Sequence, residues 1–472
     1  MKKLLIIATL AAVGMGACSK DDGVSAPEDL RKYVQVTIPE NAASGETRTS
    51  VDGTTTSWVA GYKVAVSLYN GSTTEVCEFT VDRTGATTTF SGSVPVGSST
   101  CAAGHFPGGE AVHYPFCAAT FDAVNKTFTH TWGDAYCSTD LAAYDFMFST
   151  VYETPFVVDE TTTVLPIALT FRPLMARIGM KLALGANETP KYVTFTTDDN
   201  VLPTAGTVNA DGTFSASALT NSLTVETDRK EFTVGLLPVG VASKMSVHVT
   251  TTDGMTYSDK SFQLAGLKRN THYTMNVPCR TKRFMLTVPD GVNSKYGTGT
   301  YGDNGFFQVE PQYDPESIFD GWHFLRSEIK SDKDAADGDV LKNRNRIQLQ
   351  AVSLGPNRAQ NGAFVTPPIQ CDGTKTVTVS FTAATNKLTV GSVQYRIGVT
   401  NNGADISENF LRSFDNIQSS LEGECPWKHS GSVSRTHTFT VTNGQRIMMK
   451  VYSSGGGTPC HLELADFTYT VE

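Results

Sequence analysis

The residues of this 472-residue chain that could do chemistry are thinly spread. Its nine histidines occur singly, and none stands in an H-E-x-x-H pair. There is no G-x-S-x-G elbow and no Walker loop. Residues 297–305 are glycine-rich but lack the lysine and the following helix that would hold a phosphate, so they read as an inter-strand loop. His429, close to Trp427 and Cys425, has the spacing to meet a carboxylate, but a surface-loop histidine is the better reading. Asp332/Asp334 and Asp337/Asp339 suggest calcium or a glycosidase acid pair. Both uses need a spatial arrangement that linear spacing does not supply, and acidic loops are usually just solvated. No catalytic residue, metal site or cofactor is expected.

Cysteine is more informative. Cys77, Cys101, Cys117, Cys137, Cys279, Cys371, Cys425 and Cys460 form no C-x-x-C pair, which leaves zinc and thioredoxin-type chemistry without support. Disulfides and buried free thiols both remain open for them. Cys18 stands apart. Lys2 and Lys3 form a basic head, Leu4 to Val13 an apolar run, and Met15-Gly16-Ala17 lead into Cys18. This is a secretory leader whose apolar run is too short to anchor in a bilayer. Its end resembles the bacterial lipobox, with Met15 where Leu is commoner. That resemblance implies removal of residues 1–17 and acylation of Cys18, so that lipid alone touches the membrane; a plain secretory signal is the alternative. Ser19-Lys20-Asp21-Asp22-Gly23 resembles the acidic tag that sends some Gram-negative lipoproteins to the outer face of the cell, which implies a surface-exposed lipoprotein of the cell outer membrane.

A formal charge of −9, more negative once Lys2 and Lys3 leave, argues against nucleic acid as a partner. No later stretch reaches transmembrane length. The length predicts several domains.

After the leader the chain reads as all-β. Apolar residues alternate at Val64, Val66 and Leu68, at Ile178, Met180, Leu182 and Leu184, and at Met245, Val247 and Val249. Tyr273, Met275 and Val277 continue the pattern, then Val377, Val379 and Phe381. Leu462 and Leu464 are followed, after a shift of one residue, by Phe467, Tyr469 and Val471. Period two puts one set of side chains on a buried face, and many short strands between turns predict sandwiches or barrels. The best helical stretch, residues 331–341, reads equally well as a loop. The expected organisation is a tether over 18–31, a β-sandwich over 32–173 opening with a strand from Tyr33 to Pro39, a second sandwich over 174–279, and a third domain over 280–472 of different texture.

The first two regions resemble the fimbrillin family, the structural proteins of lipoprotein-derived fimbriae. The leader is one point of likeness. Arg48-Thr49-Ser50 followed by Thr56-Ser57-Trp58-Val59-Ala60-Gly61-Tyr62-Lys63-Val64-Ala65-Val66 is similar to the family's W-x-x-G-D-K-I-x-V opening, with Tyr62 in place of Asp. Phe171-Arg172-Pro173-Leu174-Met175-Ala176-Arg177-Ile178 is similar to its junction strand, with Pro173 in place of His. Leu264-Ala265-Gly266-Leu267-Lys268-Arg269-Asn270-Thr271-His272-Tyr273-Thr274-Met275-Asn276-Val277 is similar to its closing pattern. The resemblance implies two transthyretin-like sandwiches and assembly by strand exchange with other fimbrial subunits. A protease would cut between Arg48 and Thr49, the strand carrying Tyr33, Val34, Val36 and Ile38 would leave, and a neighbour's strand would fill the groove.

The chain departs from that family after residue 279. Thr366-Pro367-Pro368-Ile369, then Val377 to Thr382, then Leu462 to Val471, resemble the galactose-binding-like jelly rolls that bacteria use as carbohydrate-binding modules. This is a likeness of fold and names no ligand. Sugar binding needs an exposed aromatic ring, and Tyr313, Trp322 and Trp427 are the candidates, with Trp322 read as core first and Trp427, after Pro426, as the better exposed. The reading is a tip or accessory adhesin of a fimbrium, in contact with a host or bacterial surface glycan or protein. The alternative is a non-polymerising surface glycan-binding lipoprotein.

Overall fold

The structure is a computed structural model. It describes residues 31–37, 50–52, 55–85, 88–106, 119–131, 146–209, 213–288, 293–296, 313–314, 321–331, 341, 344–351, 361–386, 392–400, 405–426, 431–454 and 460–472. Period-two alternation of Val, Thr and aromatic residues buries one face of a strand and no face of a helix. Regular structure among the described residues is accordingly β, apart from the helix α1 (Glu408–Arg412), whose first turn is capped by the Ser407 hydroxyl accepting from the Phe410 N–H. Sandwich-like sheets follow one another along the chain, so the all-β expectation holds. The candidate helical stretch falls mostly outside the described residues.

The first sheet has seven strands: β1 (Arg31–Thr37), β2 (Lys63–Tyr69), β3 (Thr74–Val81), β4 (Thr89–Pro95), β5 (Cys101–Phe106), β6 (Met147–Ser149) and β7 (Phe171–Pro173). Their order is β1-β4-β3-β2-β5-β6-β7, which puts β1 at the edge. Trp58 and Phe171, from motifs more than a hundred residues apart, meet edge-to-face at 5.5 Å, and Phe90 of β4 closes the trio at 4.9 and 5.6 Å. Gly61 turns the chain between Trp58 and β2 at φ +88°, a conformation an L side chain resists.

The next layers interlock. Ala119–Asp122 and Thr127–Thr131 pair with Leu202–Val208 and Phe214–Thr220 in one four-stranded sheet. Phe121, Phe128, Phe146 and Phe148 share a core with Ile178, Met180, Phe195 and Met245. Glu231–Leu236, Ala176–Leu182 and His272–Val277 form a three-stranded sheet whose last pairing is parallel.

A longer sheet then carries Ser222–Glu226, Pro190–Thr197, Ser243–Thr251 and β8 (Thr256–Leu264) straight on into β9 (Lys282–Met285) and β10 (Cys460–Val471). β10 is bonded along both edges, by β9 and Arg346–Ala351 on one side and by Thr374–Asn386 on the other. The one-residue shift in its apolar pattern is a bulge: Asp466 sits exposed at φ +51°, and the register slips there against Ser380 and Thr382. A six-stranded sheet that includes Ala363–Val365, Ser392–Val399 and Ile447–Ser454 faces this one over a shared core of Trp322, Phe364, Phe381, Tyr395, Phe467 and Tyr469.

Where the long sheet passes from β8 to β9, a charge is buried. Lys282 is 1 % exposed, and its Nζ lies 2.7 Å from Asp253 Oδ2 and 2.9 Å from Glu188 Oε1 while donating to the Gln370 carbonyl. The Tyr257 hydroxyl donates to Glu188 at 2.6 Å, and the Gln370 N–H donates to Asp253 at 3.0 Å. Beside them the Asp372 carboxylate accepts the Ala186 and Asn187 N–H groups at 2.5 and 3.0 Å. Residues 186–188 and 253–257 are thus tied to 370–372, by a core of Lys282, Asp253 and Glu188 that is closed to water and by Asp372 at the exposed rim. A buried ion tolerates this only when fully partnered. Lys282→Ala, which strands two carboxylates, is expected to lose about 3–5 kcal/mol in urea unfolding; a loss below ~1 kcal/mol would show that this pairing is not what holds the join.

Lys450 is a second buried cation, without access to water, donating to the Asn361 carbonyl at 3.1 Å and lying 5.1 Å from the centre of the Phe414 ring. Burial, then the charges of Arg412 and Arg326, push its ammonium down to about 7 from the ordinary 10.5. Between these values the unfolded chain binds the proton and the fold does not, so this residue makes stability rise with pH from about 7 to 10.5. In Lys450→Met that contribution to the pH slope should vanish in denaturant titrations across the same range, and a wild-type slope in the variant would refute the assignment.

Candidate strand-exchange site

β1 is built to be held firmly and from few sides. Its seven residues run antiparallel to β4 in unbroken register, Arg31 opposite Pro95 through Thr37 opposite Thr89. On the other edge it has, among the described residues, a single parallel bridge, where the Gln35 N–H donates to the Thr163 carbonyl at 2.9 Å and the Gln35 carbonyl accepts from the Leu165 N–H at 2.8 Å. Alternation decides which side chains anchor it. Val34 and Val36 are 1 % and 0 % exposed and belong to the core of Trp58, Phe79, Phe90, Leu165, Ile167 and Phe171, whereas Tyr33 is 67 % exposed. Each buried valine contributes about 1.5–3 kcal/mol.

A polar clamp holds the start of the strand. The Arg31 guanidinium reaches Glu75 at 2.5 Å, the Ser93 carbonyl at 2.8 Å and Cys77 Sγ at 3.6 Å, and Lys32 Nζ donates to the Glu160 carbonyl at 2.6 Å. The Arg31–Glu75 pair is partly exposed, so its strength lies in geometry more than in charge. Cys77 sits in the core beneath the clamp; burial first, and then the charge of Glu75, push its thiol up to about 12. It is chemically silent while the strand is in place. Sequence reasoning placed Arg31 in the tether and began the strand at Tyr33; the strand begins at Arg31. The alternation was visible, but nothing local to Arg31 points to Glu75, which is 44 positions away.

The other sequence-derived residues divide clearly. Cys18, Ile38, Arg48, Thr49 and Trp427 lie outside the described residues, as does His429. Tyr313 is in a short strand paired with Leu325. Trp322 is core, the reading the sequence favoured, and its alternative as a sugar platform is withdrawn. It is 2 % exposed and stacks within 5.0–6.5 Å of Phe284, Phe324, Phe364, Phe467 and Tyr469, so no ring face is left for a sugar. Cys77, Cys101, Cys279, Cys371 and Cys425 are free thiols. No group of three potential metal ligands occurs among the described residues, and no described helix is long and apolar enough to cross a membrane.

Removing β1 would uncover the backbone edge of β4 and the apolar sites of Val34 and Val36, and any strand with the same alternation could occupy both. Val36→Asp, which puts a carboxylate into that core, is expected to free β1 and make Cys77 react with a thiol reagent in the folded protein. If Cys77 stays unreactive in a folded Val36→Asp variant, β1 is not what covers the groove.

Comparison with known proteins gives one family match. The sequence model of a family described as fimbrillin-like fits residues 47–289, more than half of the chain. No curated protein sequence matches. Among solved structures, the chain is similar to a candidate cell adhesion protein of Bacteroides ovatus, with 16 % identity over 52 % of this chain and 92 % of that one, at a TM-score of 0.32. A fimbrial assembly protein of Parabacteroides distasonis shares 12 % identity over 54 % and 95 %, at 0.31. The C-terminally truncated tip fimbrial protein Mfa3 of Porphyromonas gingivalis shares 12 % over 55 % and 96 %, at 0.27.

Proposed function

The chain belongs to the fimbrillin-like family, and from that membership we propose that it is a surface fimbrial subunit which exchanges β1 for a neighbour's strand and ends its fimbrium as a tip or accessory adhesin. The observation that carries the exchange is the edge position of β1, with two buried valines, a full ladder to β4 and, among the described residues, one bridge beyond it. Cleavage between Arg48 and Thr49 would cut β1 from the rest of its sheet, so that an edge strand fixed by the chain becomes one that a competitor can replace. Acylation at Cys18 would hold the precursor at the outer membrane until that cut.

The terminal position is supported by β10. A donor strand must be free to leave its own subunit, and Cys460–Val471 is bonded on both edges and buried at the centre of its sheet. It can accept no such role without dismantling the C-terminal region. We assign that region, 280–472, as a jelly-roll adhesive domain facing a surface glycan or protein, with Tyr313 and Trp427 as the remaining candidate contacts. The clamp at Arg31 and Lys32 favours the second reading, a non-polymerising surface glycan-binding protein that keeps β1 for good.

Limited trypsin digestion of the folded, unlipidated protein with N-terminal sequencing separates the two. Exchange predicts a new N-terminus at Thr49, its absence in Arg48→Gln, and a rise in melting temperature when a peptide with the alternation of β1 is added to the cut protein. A resistant Arg48, or a cut that leaves β1 unexchangeable, supports the permanent strand.

A further inference from the structure

The second sandwich has an open side that the exchange of β1 does not use. β8 pairs with Ser243–Thr251 along one edge, but on the other β9 reaches only Thr256 and Tyr257. Among the described residues nothing pairs with that edge from Ser258 to Leu264. Facing it, His272–Val277 pairs with Ala176–Leu182 on one side alone. A cleft of about 510 Å³ lies between the two edges. Buried Ile178, Met245 and Leu264 form its floor, and half-buried Phe262, Tyr273 and Met275 its walls. Ala265, Gly266 and Leu267 line both this cleft and a second hollow of about 490 Å³. Gly266 is required there: its φ is +122°, and a Cβ would lie 2.9 Å from the Val239 carbonyl oxygen.

Two unpaired backbone edges flanking an apolar floor are the two halves of a strand acceptor. A strand laid between them would hydrogen-bond to one or both edges and drop every second side chain onto Ile178, Met245 and Leu264. Charge selects the strand. Lys260, Lys268 and Arg269 line the two hollows and no carboxylate does. A strand with a basic end, such as β1 of another copy with Arg31 and Lys32, meets repulsion. We propose that this cleft is a second, ready-made acceptor for an extended segment of a different protein, apolar at alternate positions and flanked by Asp or Glu. Among the described residues nothing fills it while β1 is in place, so the proposal does not depend on the exchange of β1.

Amide hydrogen exchange of the intact folded chain tests it, with the capped peptide Glu-Glu-Val-Thr-Val-Thr-Val-Glu-Glu as probe. The expected result is saturable slowing of exchange over residues 258–264 and 272–277, with affinity about tenfold weaker, roughly 1.4 kcal/mol, for the same peptide carrying Lys in place of Glu. Met275→Asp, at a half-buried wall position, should abolish the slowing without changing the melting temperature. The Lys peptide gives the same reading with no variant at all. Absence of slowing at millimolar peptide, equal slowing by both peptides, or slowing confined to β4 overturns the proposal. So does slowing that grows with protein concentration alone, which would make the cleft an interface between copies of this chain.

Discussion

The join between β8 and β9 depends on one ammonium group kept from water. Lys282 is too buried to be solvated and too costly to leave unpaired, so the chain surrounds it with Asp253, Glu188 and the Gln370 carbonyl. Those partners come from three distant stretches of sequence, and holding them to one cation fixes where the C-terminal sheets stand relative to the second sandwich. Hydrophobic contact alone would allow them to slide. The hydrogen-bonded passage of the sheet through β9 into β10 then removes the remaining freedom.

Edges are handled differently in different parts of the molecule. The C-terminal sheet buries β10 in its centre and so has nothing to offer a partner from that strand. The first sandwich puts β1 at an edge and secures it with two valines and a clamp. Strand pairing has no memory of which chain supplied the strand: the groove specifies alternation and register, and covalent attachment supplies the high local concentration that keeps the chain's own β1 there. Among the described residues the second sandwich leaves a side unpaired, walled by half-buried Phe262, Tyr273 and Met275, the cleft proposed above as an acceptor.

Much of this was legible in the sequence because period two is a local property. The buried faces of Ala176–Leu182, Ser243–Thr251 and Thr374–Asn386 follow their alternation, whereas β2, inside its sheet, is buried on both faces from Val64 to Leu68; even the bulge at Asp466 showed as a slipped phase between Leu464 and Phe467. Trp58 and Phe171 were singled out by motif and turned out to touch. What could not be read was long-range pairing. Nothing local to Lys282 points to its partners, which are 29 and 94 positions away. Arg31 looked like tether for the same reason. Trp322 offered no local sign that five aromatic rings would enclose it.

The position of β10 has a consequence for biogenesis. Its partner β9 is made almost two hundred residues earlier, and although β9 can pair with β8 and Arg346–Ala351 with Ser327–Lys330 beforehand, neither gains its second neighbour until β10 emerges. Contacts of such wide separation close slowly. Were the chain exported as the proposed lipid-anchored subunit, this order would keep its C-terminal half from completing the sheet in transit, and that half would become compact only after the whole of β10 had been delivered.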